Sequence, residues 1–152
     1  MGFKVSFSTR WADFDPNNHM RHSAYNDYAA EARVRLFAHH GLSLSSFNNL
    51  RIGPILFKEE TSFRREIQLS DNIVVEVLLK GASESGERFK FQHNIYRGDG
   101  KLAAEIEVFG AWMDLDRRKL TNPPGLILDL LSQVERSEEF EKIPLKSTKE
   151  II

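Results

Sequence analysis

One amphipathic segment near the N-terminus constrains the fold of this chain more than any other feature. Its apolar side chains recur at the three- and four-residue spacing of a helix: Tyr25, Tyr28, Ala29, Ala32 and Leu36. The pattern predicts a helix from about Ser23 to His39, with Gly41 as its C-terminal stop signal. Because Ala29 and Ala32 are small, we expect another element to approach this helix closely, as a sheet wrapped around it would.

Around this helix the hydrophobic period changes from 3.6 residues to two, which is typical of β-strands. Strands are predicted in five segments: residues 2–11, 55–67, 73–79, 89–95 and 102–113. The alternation is imperfect around Glu59-Glu60, which predicts a bend or bulge there. Two shorter helices are predicted at residues 42–50 and 126–134, and Gly53-Pro54 is interpreted as the break before the second strand.

The order of these elements predicts an α+β fold in which the helix lies on a curved antiparallel sheet of about five strands. The 152 residues fit a single domain with a real hydrophobic core, and the sequence contains no internal repeat or linker. We expect this domain to span residues 1–135 and to include the short C-terminal helix. Residues 136–152 are highly charged with few apolar anchors, which predicts a partly mobile tail.

Composition and charge exclude several classes of function. The net charge of −1 gives no bulk attraction to nucleic acid or to an anionic membrane. The absence of cysteine excludes disulfides, thiolate metal sites and a cysteine nucleophile. The N-terminus has no apolar run of signal-peptide type, and no stretch approaches about 18 apolar residues. We therefore expect a cytoplasmic protein that does not enter a membrane.

The polar stretch between the first strand and the helix is the strongest candidate for a functional site. A strand leads to Asp15, a turn follows at Pro16-Asn17-Asn18, and the helix begins just beyond. This order brings a carboxylate close to the unpaired N–H groups of a helix N-terminus. The residues alone also fit a simpler interpretation, because Asp before Pro commonly starts a loop. His19 and His22 are predicted to bind no metal, since no third ligand is evident.

Three pieces of this region match a known family at fixed spacing. They are Trp11-Ala12-Asp13-Phe14-Asp15, His19-Met20-Arg21-His22-Ser23-Ala24-Tyr25 and Glu31-Ala32-Arg33. Together they resemble the hotdog-fold acyl-CoA thioesterases of the 4-hydroxybenzoyl-CoA thioesterase type. A weaker second match to that family runs from Phe63 to Asp71. The order of elements extends the resemblance over about residues 2–114.

The chain departs from the family pattern at the turn. Asn18 stands where the family usually has Gly, and Asn tolerates the left-handed conformation that Gly supplies. Met20 replaces Val and stays apolar. Arg21 and His22 stand where two Asn residues are usual, which changes the side chains of the pocket. The carboxylate of Asp15 is kept.

The resemblance implies a hotdog fold, with a long central helix wrapped by the sheet, and the activity of an acyl-CoA thioesterase. Asp15 would act as nucleophile or general base, and the backbone amide of His22 as the oxyanion donor. His19 would orient the loop or assist proton transfer. The substrate-binding residues by this resemblance are Tyr25, Asn18, Arg64 and Arg65, although Tyr25 also fits a core position. Five basic residues are candidates for contacts with CoA phosphates, and the sequence does not choose among them: Arg64, Arg65, Lys90, Arg97 and Lys101.

By the same resemblance the substrate is an acyl-CoA or an acyl-carrier protein. Coenzyme A would be part of the substrate, and neither a cofactor nor a metal is expected. The family also implies an obligate homo-oligomer, a dimer or a dimer of dimers, with sites at the subunit interface. The aromatic residues of the strands do not identify the acyl group, because aromatic residues in strands usually belong to the core.

Three alternatives stay open. Glu31 would supply the carboxylate if the site used the helix, whereas we interpret it as a solvated residue or an ion-pair partner of Arg33 or Arg35. A non-catalytic acyl-CoA or acyl-carrier-protein binding module would share the binding residues. An enoyl-CoA hydratase or dehydratase is disfavoured by spacing, because those sites resemble Asp-x-Asn-Pro-x-His. In this chain His19 follows Asp15 by four residues instead of five.

Overall fold

The computed structural model describes residues 2–144, which form seven strands, three α-helices and one short 3-10 helix. The strands are β1 (Phe3–Ser8), β2 (Ile52–Phe63), β3 (Asn72–Ala82), β4 (Arg88–Tyr96), β5 (Leu102–Asp114), β6 (Lys119–Leu120) and β7 (Arg136–Lys142). The helices are α1 (His22–His39), α2 (Leu44–Leu50) and α3 (Gly125–Gln133), and the 3-10 helix spans Trp11–Asp13.

Five strands form one antiparallel sheet in the order β1-β3-β4-β5-β2. The short strand β6 adds to the end of β5, and β7 pairs in parallel with β3. The helix α1 packs across one face of this sheet. The predicted α+β class and the central helix are therefore confirmed, and the sheet has two more strands than expected.

The core lies between α1 and the sheet. Ala29 and Ala32 are completely buried, so α1 approaches the strands as closely as their small side chains predict. The end of α1 packs into an aromatic cluster, where Phe37 lies near Trp112 and the Trp112 indole N–H donates to the Gly86 carbonyl at 2.9 Å. Burial of one such large apolar side chain contributes about 1.5–3 kcal/mol. This packing fixes α1, and with it the position of its N-terminus.

Local signals set the ends of the helices, and the C-terminal stop of α1 agrees with its prediction. Gly41 follows α1 with φ of +85°, a conformation that favours glycine at a helix C-terminus. The side chain of Ser43 caps α2 by accepting the Ser46 backbone N–H at 3.3 Å. Among residues 2–144, no helix is both long enough and apolar enough to cross a membrane.

The strand β2 differs from its prediction in three ways. It includes Gly53-Pro54, which does not end the strand, because β2 is an edge strand and a missing N–H on its free side breaks no hydrogen bond of the sheet. The register shift falls between Leu56 and Lys58, earlier than the predicted site at Glu59-Glu60. The strand ends at Phe63, four residues before the predicted end.

The C-terminal tail also differs from its prediction, since residues 136–142 form β7. The strand β3 extends beyond the end of β1, and β7 pairs with the edge of β3 that this leaves open. Phe140 packs against the core, and the Arg136 guanidinium lies 4.1 Å from the centre of its ring. One apolar anchor and a free sheet edge therefore order a segment that its charge predicts to be mobile. Residues 145–152 of the predicted tail lie outside the described residues.

Candidate active site

The polar stretch before α1 forms a tight hairpin. The Arg21 N–H donates to the Asp13 carbonyl at 2.8 Å, and the Asp15 N–H donates to the His19 carbonyl at 2.9 Å. At the tip, Asn18 has φ of +64°, which is the left-handed conformation expected where the family has Gly. The hairpin brings the two ends of the motif together, so that the Asp15 segment lies beside the start of α1.

A second segment pairs with this hairpin after β2 has ended. The Met20 N–H donates to the Ile67 carbonyl at 2.9 Å, and the Leu69 N–H donates to the Asn18 carbonyl at 3.2 Å. His19 and Gln68 form an antiparallel bridge between them. The two stretches of sequence that carry the family resemblance therefore contact each other through their backbones.

Asp15 uses one carboxylate oxygen to hold the turn. Its Oδ1 accepts the backbone N–H groups of Asn17 at 2.9 Å and His19 at 3.1 Å. Its Oδ2 accepts no hydrogen bond from any residue between 2 and 144. The residue is half-buried. The loop therefore fixes the carboxylate in place and leaves one oxygen available for chemistry.

The N-terminus of α1 lacks a capping side chain. Its N-cap residue is Arg21, which accepts no hydrogen bond from the helix, whereas Ser, Thr, Asp or Asn is preferred at this position. The Arg21 guanidinium instead donates to the Ala12 carbonyl and the Ser23 hydroxyl. The first N–H groups, those of His22 and Ser23, have no partner within the helix. They carry the positive end of the helix dipole and suit an oxygen that gains negative charge.

A cavity of about 350 Å³ opens at this end of α1. Four predicted site residues line it, namely His22, Tyr25, Arg64 and Arg65, together with Met20, Phe63 and Glu66. Tyr25 is buried and packs edge-on against Phe63, with ring centres 5.1 Å apart. Burial raises the pKa of the Tyr25 phenol, so the hydroxyl stays protonated at neutral pH. Tyr25 is thus both a core residue and a wall of the cavity.

Three other predicted residues lie beside this cavity without lining it. Asp15 and Asn18 belong to the hairpin, as described, and do not reach the cavity wall. His19 lies between the two, because its Nε2 is 3.1 Å from the Glu66 carboxylate and Glu66 lines the cavity. Within one chain, the carboxylate and the cavity are neighbours in the fold but do not form a single pocket.

The two arginines of the cavity have different surroundings. The guanidinium of Arg64 binds the Glu105 carboxylate through Nε at 3.1 Å and Nη2 at 2.7 Å. The guanidinium of Arg65 donates to the Leu102 carbonyl at 2.7 Å and forms no ion pair with residues 2–144. Arg65 is therefore the better placed of the two to meet an anionic group.

Asp13, two residues before Asp15, is completely buried. Its carboxylate accepts the Arg10 backbone N–H at 3.0 Å, the Arg10 guanidinium at 2.9 Å, and the Tyr28 hydroxyl. Burial acts to raise the pKa of this carboxyl, but the hydrogen bonds from Arg10 and Tyr28 outweigh it and hold the pKa below its usual value. One signal of this network is visible in the sequence, since Tyr28 places a hydroxyl on the buried stripe of α1.

Two polar pairs lie away from this region. Glu31 accepts the Arg35 guanidinium at 2.9 Å, as one of the two predicted ion pairs, and lies on the exposed side of α1. His93 is completely buried and lies 3.0 Å from the Arg33 guanidinium, a contact between α1 and β4 that sequence reasoning missed. Among residues 2–144 no cluster of three or more His, Asp or Glu side chains could hold a metal ion.

Comparison with known families identifies the kind of protein that carries this geometry. Residues 9–134 match the model of the Thioesterase-like superfamily, which is most of the chain. The chain belongs to the Thioesterase-like superfamily. No curated protein matches it significantly in sequence. The resemblance found in the motifs is thereby confirmed, and membership of this family supports a thioester hydrolase as the class of enzyme.

Solved structures of low sequence identity share the fold of this thioesterase-like chain. A hypothetical protein from Staphylococcus aureus, in complex with CoA, is 22% identical, with 96% of each chain covered and a TM-score of 0.81. A 1,4-dihydroxy-2-naphthoyl-CoA thioesterase from Synechocystis is 17% identical, with 88% of this chain and 97% of that chain covered and a TM-score of 0.78. A thioesterase from Thermus thermophilus, complexed with coenzyme A and Zn, is 22% identical, with 85% and 92% covered and a TM-score of 0.71. The predicted hotdog fold is confirmed.

Proposed function

We propose that this thioesterase-like protein hydrolyses the thioester of an acyl-CoA or acyl-carrier protein to a free acid and a thiol. The observation that carries the proposal is the uncapped N-terminus of α1, which opens on a cavity beside a carboxylate with one free oxygen. A thioester hydrolase needs both parts: a nucleophile or base at the carbonyl carbon and donors at the developing oxyanion.

In the proposed reaction, Oδ2 of Asp15 attacks the thioester carbonyl carbon directly, or it takes a proton from a water molecule that attacks. The carbonyl oxygen becomes an oxyanion and accepts the backbone N–H groups of His22 and Ser23. The tetrahedral intermediate then collapses, the carbon–sulfur bond breaks and the thiol leaves after protonation. In direct attack, water hydrolyses the resulting anhydride and restores Asp15. His19 orients the hairpin through its backbone contact with Oδ1 and its contact with Glu66.

Coenzyme A is the proposed carrier of the acyl group. Two of the structural relatives, from Staphylococcus aureus and Thermus thermophilus, were solved with bound CoA. Arg65 supports a phosphate contact because it lines the cavity and forms no ion pair among the described residues, whereas Arg64 is engaged by Glu105. We assign Arg65 as the main phosphate contact, and Tyr25 as the aromatic wall next to the acyl group.

The proposed active form is a dimer that completes the site. β2 is a 12-residue edge strand, and its Leu56 and Phe63 are 41% and 53% exposed. An edge strand with exposed apolar side chains is a template for pairing with another chain. Because Asp15 does not line the cavity of its own chain, a second subunit placed along this edge would close the space between them.

The experiment is a panel of acyl-CoAs assayed for thiol release, with wild type beside Asp15→Asn and Asp15→Ala. We expect both substitutions to lower kcat by about 10²- to 10⁴-fold, the range of a general base or nucleophile. Asn keeps an oxygen that accepts hydrogen bonds from the two turn amides. The unfolding temperature of Asp15→Asn should therefore stay close to that of wild type. Asp15→Ala removes that acceptor and should lose about 1 kcal/mol of stability.

A matched control is Asp114→Asn. The Oδ1 of Asp114 also accepts two backbone amides, those of Asp116 at 2.9 Å and Arg117 at 3.0 Å, in a turn outside the cavity. This variant should keep full activity. Turnover that survives Asp15→Asn would remove Asp15 from the mechanism.

The same panel separates the alternatives. Tight CoA binding without turnover of any acyl-CoA would favour the non-catalytic binding module. Hydration of an enoyl-CoA without release of a thiol would favour a hydratase.

A further inference from the structure

Asp13 is a buried carboxylate for which the proposed reaction has no use. It has no solvent exposure, so it cannot reach a substrate. A buried carboxylate is stable only when its oxygens are well paired. Here Arg10 supplies a backbone N–H and a guanidinium, and Tyr28 supplies its hydroxyl. Arg10 lies in the segment that follows β1, and Tyr28 lies in the second turn of α1.

The backbone of Asp13 joins the same elements a second time. Its carbonyl accepts the Arg21 N–H at 2.8 Å, and Arg21 directly precedes His22. The Arg21 guanidinium also lies 3.9 Å from the Asp13 carboxylate. Asp13 is therefore bonded to α1 at its N-cap and again at Tyr28, seven residues further along the chain. Only Phe14 separates Asp13 from Asp15 along the sequence.

We propose that Asp13 is a positioning residue, which sets the distance between the Asp15 carboxylate and the His22 amide by holding the hairpin against Tyr28 of α1. This inference rests on the proposed function. Asp13 acts through Asp15 and does not touch the substrate. Its partners Arg10 and Tyr28 share the role because they fix the Asp13 carboxylate.

Misplacement of a reacting group acts mainly on the transition state. A shift of about 1 Å can cost about 10²-fold in rate, whereas ground-state binding of the substrate changes little. Loss of the Asp13 contacts should therefore lower kcat and leave KM nearly unchanged. A purely structural residue would instead lower the amount of folded enzyme and leave kcat per folded molecule unchanged.

The test uses Asp13→Asn, Tyr28→Phe and the double variant, assayed for thiol release well below the unfolding temperature of each. Asn keeps the shape of Asp but turns one acceptor into a donor that faces Arg10 or Tyr28. Tyr28→Phe removes one donor and changes little else. We expect each single variant to lose about 10- to 100-fold in kcat with KM within about threefold. The double variant should lose less than the product of the two, because both changes break one contact.

Ile127→Val and Ile127→Ala provide the matched controls. Ile127 is completely buried in α3, outside the residues that line the cavity, so these variants lower stability to different degrees. They should keep wild-type kcat at a matched loss of unfolding temperature. The proposal is overturned if Asp13→Asn and Tyr28→Phe also keep the wild-type kcat. It is also overturned if the loss of kcat in the double variant equals the product of the two single losses.

Amide hydrogen exchange separates this proposal from the proposed function. In Asp13→Asn, the Arg21 and Asp15 amides, which are bonded across the hairpin, should exchange at least about 10-fold faster. The Val75 amide in the central strand β3 should stay as protected as in wild type. If no acyl-CoA is hydrolysed by wild type, the proposed function fails while this readout still applies. Unchanged exchange at Arg21 and Asp15 would overturn the positioning role.

Discussion

The two oxygens of the Asp15 carboxylate have different surroundings, and this difference bears on a question that the sequence leaves open. From the sequence, an Asp that precedes Pro fits either a turn residue or a reacting group. In the structure Oδ1 accepts the Asn17 and His19 amides, while Oδ2 accepts nothing from residues 2–144. The turn bonds orient the side chain, so the two interpretations are compatible.

The buried pair of His93 and Arg33 predicts a dependence of stability on pH. His93 donates from Nδ1 to the Ile106 carbonyl at 2.9 Å, so its Nε2 accepts from the Arg33 guanidinium and the ring is neutral. Burial, with help from the Arg33 charge, lowers the pKa of His93 to about 3. The unfolded chain binds a proton on this ring below about pH 6.5, whereas the folded chain does not until near pH 3. Stability from this group is present at neutral pH and falls as the pH falls.

We expect wild type to lose about 2 kcal/mol of unfolding free energy between pH 7 and pH 5 through this group. Urea unfolding at both pH values measures this loss. His93→Gln should remove most of the difference in unfolding free energy between pH 7 and pH 5. His40→Gln, at a residue that hydrogen-bonds Gln133 on the surface, serves as the control and should keep the difference. An equal pH dependence in wild type and His93→Gln would contradict the assignment.

At the scale of elements, the N-terminus of α1 can be tested through a single backbone atom. His22 is the first helical residue, and Arg21 precedes it with φ of −63° and ψ of +143°. A residue that precedes a proline can adopt this extended conformation. Proline is also favoured at the first position of a helix, where it removes an N–H that has no intrahelical partner. His22→Pro therefore deletes the proposed oxyanion donor with little effect on the helix.

We expect His22→Pro to lower kcat by about 10²- to 10³-fold, the usual loss on removal of one oxyanion donor. His22→Ala keeps the amide and removes the side chain, so it should stay within about tenfold of wild type. Steady-state kinetics with thermal unfolding of both variants make the comparison. If His22→Ala loses as much as His22→Pro, the imidazole carries the role and the amide does not.

The sequence predicts some elements well because their side chains carry a period. The bounds of α1, β4 and β5 agree with prediction to within one or two residues, since each buries one face along its whole length. The sequence also predicts the turn at Asn18, because few residue types accept φ of +64° and Asn is one of them.

Other features depend on backbone contacts that leave no pattern in the sequence. The pairing of Met20 with Ile67 joins residues 47 positions apart through main-chain atoms alone. β7 forms because β3 has a free edge with which it can pair. The charged composition of this segment predicts no strand. The Arg33 and His93 contact joins α1 to β4, and neither residue signals the other in the sequence.

At the scale of the whole molecule, the two edges of the sheet are unequal. β1 has six residues, and β7 covers part of the strand beside it, whereas β2 has twelve residues and no partner beyond β5 among residues 2–144. Isolated edge strands are usually protected by charge, proline or a covering element. On β2, Pro54 and the charged residues Lys58, Glu59 and Glu60 give such protection over part of the strand. The exposed side chains of Leu56 and Phe63 leave apolar surface on either side of that charged run, where the proposed second subunit would pair.

Substitution of Leu56 tests this surface in solution. Leu56 is 41% exposed on β2, and Leu126 is 44% exposed on α3, so Leu56→Glu and Leu126→Glu add the same charge to equally exposed leucines. We expect wild type and Leu126→Glu to sediment as dimers or dimers of dimers, and Leu56→Glu to shift towards the monomer because a charge must be desolvated at the paired edge. Since one chain leaves Asp15 outside its cavity, thiol release should fall in proportion to the monomer fraction. A fully active monomer would contradict both the β2 dimer and the composite site.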